Sequence, residues 1–159
     1  MTVLDSPATT AHDRGEAPDH EAFWVVAPAA GTPVTPLVFA SPHSGRIYPA
    51  EMDARLTAPA IRRSEDAFVD GLIEAAPSHG ARLIAARFAR VFIDVNRDPW
   101  ELDPAMFADA LPACAKPRTA RVAAGLGAIA RFVREGEEVY GRKLRLSEAL
   151  ARVERAHRP

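Results

Sequence analysis

Residues 82–98 read RLIAARFARVFIDVNRD. Two apolar runs, RLIAA (82–86) and RVFIDV (90–95), follow one another with only three residues between them. Runs of this length without polar alternation are those of strands covered on both faces. The second run ends in a polar cluster, Asn96-Arg97-Asp98, just before Pro99. Toward the amino terminus, PLVFAS (36–41) is a third such run, stopped at Pro42, and FWVVAP (23–28) is an aromatic and β-branched fourth, closed by Pro28. AGTPVTP between them reads as a turn. From Ser64 the period changes: Phe68, Val69, Leu72, Ile73 and Ala76 recur at helical spacing, with Ser64 placed as N-cap and Gly80 as the stop. Strand, helix, strand, strand predicts an α/β sheet, mixed or mostly parallel, with helices on both faces. Such sheets bind ligands outside the carboxyl ends of their strands, which is where His43 and the Asn96-Arg97 pair fall.

The carboxyl-terminal third is less regular. WELDPAMFADALPACAKP (100–117) has no clean period and predicts an irregular, surface-lying excursion, while RVAAGLGAIARFV (121–133) fits either a strand broken at Gly125 and Gly127 or a weak helix. At the end, Ser147 is expected to cap a helix with Glu148 in its first turn and Leu150 and Val153 on one face. Residues 1–22 hold acids and prolines but no apolar run, so they read as a disordered tail rather than a secretion signal or membrane anchor.

Composition narrows the class. The 159 residues suffice for one domain, burying roughly two thirds of the unfolded surface. With 48% hydrophobic and 26% charged residues the profile is that of a globular protein. Twenty basic residues balance 21 acidic ones, so no overall positive field favours nucleic acid. The single cysteine, Cys114, excludes an intrachain disulfide and agrees with a reducing, cytoplasmic location.

Several residues could carry chemistry. His43, presented where a strand gives way to the SPHSG loop, suits a metal ligand, though a loop histidine bonded to backbone is the simpler account of an isolated imidazole. Glu65 or Asp66 could add a carboxylate to such a metal, but acids in a first helical turn also complement the macrodipole. Asn96 and Arg97 offer donors matched to a carboxylate. The structural alternative pairs Arg97 with Asp94 or Asp98, although strand alternation would set Asp94 on the opposite face from Arg97. Ser41 and Ser44 flank His43 but lie in no G-x-S-x-G elbow, and Cys114 has no histidine near it in sequence, so neither supports a nucleophile.

Taken together, LVFASPHSGRIYP, RRSEDAFVDGLIEAAPSHGARLI, ARFARVFIDVNRDPWELDP and AGLGAIARFVREGEEVYGRKLRLSEALARVERAHRP resemble successive motifs of the N-formylglutamate amidohydrolase family, from about Pro36 to Pro159. The resemblance implies a zinc carboxypeptidase-like (phosphorylase/hydrolase-like) fold and hydrolysis of N-formyl-L-glutamate to formate and L-glutamate, a step of histidine degradation. It further implies a divalent metal, zinc before others, held by His43 and an acid of the SED motif, Asp66 ahead of Glu65. Asn96 and Arg97 would grip the substrate carboxylate, and Arg90 would help to polarise the scissile carbonyl. The substrate class is a small N-acyl amino acid. On this resemblance residues 23–159 form the amino-terminal part of one amidohydrolase domain, with a further metal-binding histidine, in a segment like DCHS, and the proton-accepting carboxylate expected beyond Pro159. The alternative is a catalytically inactive homologue that binds acidic amino acids without cleaving them. Oligomeric state is left open by the sequence.

Overall fold

The structure is a computed structural model describing residues 22–134 and 136–158. The expected tail lies outside the described residues except for Ala22, which is buried against the core. Three strands form the sheet: β1 (Phe23–Val26), β2 (Val38–Ser41) and β3 (Arg82–Ala86), in the order β1-β3-β2. β1 pairs with β3 antiparallel and β2 pairs with it parallel, so the sheet is mixed. The apolar runs FWVV, VFAS and RLIAA therefore become strands as their composition predicts. β3 is central, with Leu83 and Ala85 buried.

The covering expected for β2 is absent among the described residues. Val38, Phe39 and Ala40 are exposed and only Ser41 is buried, because β2 is an edge strand with a partner on one side alone. The remaining run, RVFIDV (90–95), is not a strand: residues 90–92 turn, and the segment is buried without joining the sheet. An apolar run reports burial, and a buried turn satisfies it as well as a strand does.

Helices are short: α1 (Ala58–Arg62), α2 (Val69–Leu72), α3 (Ala120–Ala123) and α4 (Leu146–Arg152), the last continuing as a π-helical turn over Val153–His157. The helix expected from Ser64 starts only at Val69. The Ser64 hydroxyl donates to the Ile61 carbonyl instead of capping, the Asp66 amide donates to the His43 carbonyl, and Phe68 takes a left-handed conformation (φ 65°). Tethering at Asp66 keeps the chain out of helix until that point, and Phe68 and Leu72 face solvent rather than the core. Gly80 ends the next turn at φ 81°, as expected of a left-handed cap. α4 is capped at Arg145 rather than Ser147, with the Glu148 carboxylate accepting from the Arg145 amide. The 121–133 stretch opens as α3 and breaks at Gly125 (φ 74°).

Most of the core lies outside the sheet. Phe92, Ile93, Leu102, Ile129, Val139 and Leu144 are almost fully buried, so the supposed surface excursion at 100–117 sends Leu102, Met106 and Phe107 inward. Each such side chain contributes about 1.5–3 kcal/mol on burial. Their packing fixes the turn at 90–97 against the carboxyl end of the sheet. No helix among the described residues is long and apolar enough to cross a membrane.

Candidate functional site

β2 delivers His43 two residues beyond its carboxyl end. The loop passes so close to the next segment that a Cβ on Gly45 would lie 2.1 Å from the Phe88 carbonyl oxygen, which requires glycine there. The contact continues as backbone pairing, with the Ile47 amide donating to the Arg87 carbonyl at 2.9 Å and the Ala89 amide to the Ile47 carbonyl at 3.0 Å. His43 is thereby brought to the turn that carries Arg90 and Asp94.

His43 is only 7% exposed and stands between two acids. Its Nδ1 lies 3.1 Å from Asp66 Oδ2 and its Nε2 2.9 Å from Asp94 Oδ1. Arg90 closes the group, donating from Nη2 to Asp94 Oδ2 at 3.0 Å and placing Nη1 3.5 Å from Asp66 Oδ1. Burial pushes the Asp94 carboxyl up, but the His43 hydrogen bond and charge, Arg90, and the Asn96 amide outweigh it and hold it below the ordinary value. Beneath this group, Ser44 Oγ bonds to Ser41 Oγ, donates to the Asp66 carbonyl at 3.1 Å and accepts from the Asp70 amide at 3.2 Å. The two serines thus brace the loop.

A neutral imidazole has one N–H, so it can serve only one of two flanking carboxylates as donor. The other contact requires a second proton or a cation. Asp94 is buried while the Asp66 side chain is 47% exposed, so the Asp66 side is the open one. It faces a cleft of about 250 Å³ whose walls include Glu65, Asp66, Arg90, Asp94, Leu126 and Phe132. Among the described residues no group of three or more His, Cys, Asp or Glu side chains converges to enclose a metal.

The sequence model of the N-formylglutamate amidohydrolase family matches residues 35–159. The chain belongs to the N-formylglutamate amidohydrolase family. Among solved structures it is similar to N-formylglutamate amidohydrolase from Ralstonia eutropha JMP134, at 38% identity and a TM-score of 0.80. That match covers 87% of this chain and 48% of the other, so this chain spans about half the length of that relative. No curated protein matches.

The family motifs converge unevenly. The PHSG and SED motifs meet at His43 and Asp66, whereas Glu65 turns away to accept from the Tyr48 hydroxyl. Burial and this bond to Glu65 push the Tyr48 hydroxyl well above its ordinary value. Asn96 is exposed, and its amide, not its side chain, reaches Asp94. Arg97 donates from Nη1 to the Asn96 carbonyl at 2.8 Å and from Nε to the Leu126 carbonyl at 3.4 Å. Its Nε also comes within 3.9 Å of Asp94, contrary to the alternation expected of a strand, because residues 94–97 form a turn closed from the Arg97 amide to the Asp94 carbonyl. Asp98, the other acid considered for Arg97, is held instead by Lys116 and the Trp100 amide. Neither Asn96 nor Arg97 borders the cleft beside Asp66.

The sequence reading missed the role of Asp94. An acid inside the apolar run VFIDV is a signal in itself, since a buried carboxylate needs a charged or donating partner.

Proposed function

We propose that this chain supplies part of the site for hydrolysis of N-formyl-L-glutamate to formate and L-glutamate. The observation that carries the reading is His43 held between Asp94 and Asp66 at the edge of a cleft shared with Arg90, in a chain of this family. In the reaction a water oxygen bonds to the formyl carbon, the C–N bond breaks and a proton passes to the leaving amine. His43 Nδ1 and the Asp66 carboxylate would be ligands for a divalent metal, zinc before others. Asp94, accepting from Nε2–H, would hold His43 in the tautomer that leaves Nδ1 free for the metal. Bound there, such an ion would polarise the formyl carbonyl and make a water more acidic. Arg90, which lines the same cleft, would help to polarise the scissile carbonyl, and Asn96 and Arg97 would take the substrate carboxylate, Arg97 with the Nη2 it does not use on the backbone. Histidine breakdown in the cytoplasm is the setting this reaction fits.

The second reading is binding of acidic amino acids without cleavage. It is favoured by the number of candidate ligands, two, where a catalytic zinc site ordinarily takes three protein ligands. Formate release from N-formylglutamate, measured on the purified chain after zinc reconstitution, separates the two. Formate released above a His43→Ala control supports hydrolysis. Saturable binding of N-formylglutamate with no formate supports the second reading, and no binding at all contradicts both.

A further inference from the structure

The cation of Arg152 is buried in the core with no carboxylate within ion-pairing distance among the described residues. The residue is 3% exposed, and its Nη2 has no hydrogen-bond partner. Its guanidinium lies over the rings of Phe92 and Tyr140, 4.9 Å and 5.2 Å from their centroids. Its Nη1 donates to the Tyr140 hydroxyl at 2.6 Å and to the Phe92 carbonyl at 3.3 Å. Tyr140 in turn donates to the Val91 carbonyl at 3.1 Å. Five residues further along the same carboxyl-terminal segment, His157 Nε2 contacts the Arg97 carbonyl at 2.7 Å.

For stability alone this is a poor choice of residue. Desolvating an arginine without a counterion is costly, and an apolar side chain of similar volume would fill the space at less expense in free energy. What the guanidinium does that a leucine could not is bond backbone. Residues 90–92 form neither strand nor helix, so the carbonyls of Val91 and Phe92 have no ladder to join; buried carbonyls of this kind need donors. Those donors are Tyr140 and Arg152, and the turn they hold carries Arg90 at one end and Asp94 at the other.

We propose that Arg152 and Tyr140 are positioning residues for the candidate site: through the Val91 and Phe92 carbonyls they set the turn that aims Asp94 at His43 Nε2. This inference rests on the proposed function only for what the site does. The geometric claim, that Arg152 governs the His43–Asp94 contact, stands independently of it.

The experiment is nitrogen-15 NMR of the His43 ring in the whole chain without metal, with zinc affinity by calorimetry as a second readout. Variants are Arg152→Met, which keeps the stem and removes the donors, Arg152→Lys, and Tyr140→Phe, which removes one hydroxyl. Val122→Ala, a buried position on α3, is the control for general loss of stability. In the wild-type chain the Nε2 proton is expected to be protected from exchange by Asp94. Arg152→Met is expected to lose that protection and to weaken zinc binding about tenfold, the lower end for removing support of a ligating histidine. Arg152→Lys is expected to restore part of it and Tyr140→Phe to lose part, while Val122→Ala keeps both at the wild-type level. A folded Arg152→Met or Tyr140→Phe chain with the Nε2 proton protected as in wild type would overturn the proposal. So would equal loss in Val122→Ala. Should Arg152→Met not fold, Tyr140→Phe decides. A wild-type chain that shows the protected proton but neither binds nor cleaves N-formylglutamate would remove the proposed function and leave the positioning claim standing.

Discussion

Two of the charged networks that join distant parts of this chain differ in what surrounds them. In the first, His43, Asp66, Asp94 and Arg90 meet at the carboxyl end of β2, with His43 and Asp94 buried. In the second, Arg142 joins Asp53 at 3.0 Å to Glu148 at 2.7 Å on the surface. The surface network has the closer, forked geometry, and it holds the Glu148 carboxyl down to about 2 through the Arg142 hydrogen bonds. Good geometry in water nevertheless contributes little net stability, because the charges are already solvated. In the buried network His43 and Asp94 depend on each other and on Arg90, since solvent reaches neither of the two. The first network therefore holds its imidazole fixed, and the second is a surface brace.

Removing one member of each network tests that difference. Asp94→Ala leaves His43 Nε2 and Arg90 facing a void, and the expected loss is about 3–5 kcal/mol, the range for breaking one partner of a buried pair. Urea denaturation of the purified chain measures it, and a loss under about 1 kcal/mol would mean the pair is solvated in practice. Glu148→Gln is expected to cost only about 0.2–1 kcal/mol and to lose that small effect in high salt.

Acid should separate the networks by pH as well. Both carboxyls have folded values below their ordinary ones, so each stabilises the fold fully above its ordinary value and loses that contribution as pH falls through the folded value. For Glu148 the window runs from 4.5 down to about 2. For Asp94 it opens at 3.8 and extends downward. The acid unfolding curves of Asp94→Asn and Glu148→Gln should each be flatter than that of wild type, the first below pH 3.8 and the second below pH 4.5. Identical curves for wild type and Asp94→Asn would show that Asp94 is not linked to folding.

How far the sequence foretold this differs from one residue to the next. β1, β2 and β3 were legible because short apolar runs bounded by proline and glycine have few other uses. RVFIDV failed as a strand because composition reports that Phe92 and Ile93 are buried but not which hydrogen bonds their backbone makes, and here side chains of Tyr140 and Arg152 supply them. The helix at Ser64 failed because periodicity cannot register a tertiary tether such as the one from the Asp66 amide to His43. In the site, spacing alone left His43, Glu65 and Asp66 undecided, and the family resemblance singled out their motifs. The resemblance ranked Asp66 ahead of Glu65, and the fold sets Asp66 beside His43 and Glu65 against Tyr48. Asp94 was hidden by the strand reading, which weighed it only as a partner for Arg97 and set it on the opposite face.

The proposed pairing of His43 and Asp66 as metal ligands can be broken by calorimetric zinc titration of the wild-type chain beside His43→Ala, Asp66→Asn and Glu65→Gln. His43→Ala and Asp66→Asn are each expected to weaken binding by about tenfold or more, as loss of a ligand should, while Glu65→Gln binds as wild type does. Loss of affinity in Glu65→Gln with Asp66→Asn unchanged, or one shared affinity across all four proteins, would contradict it.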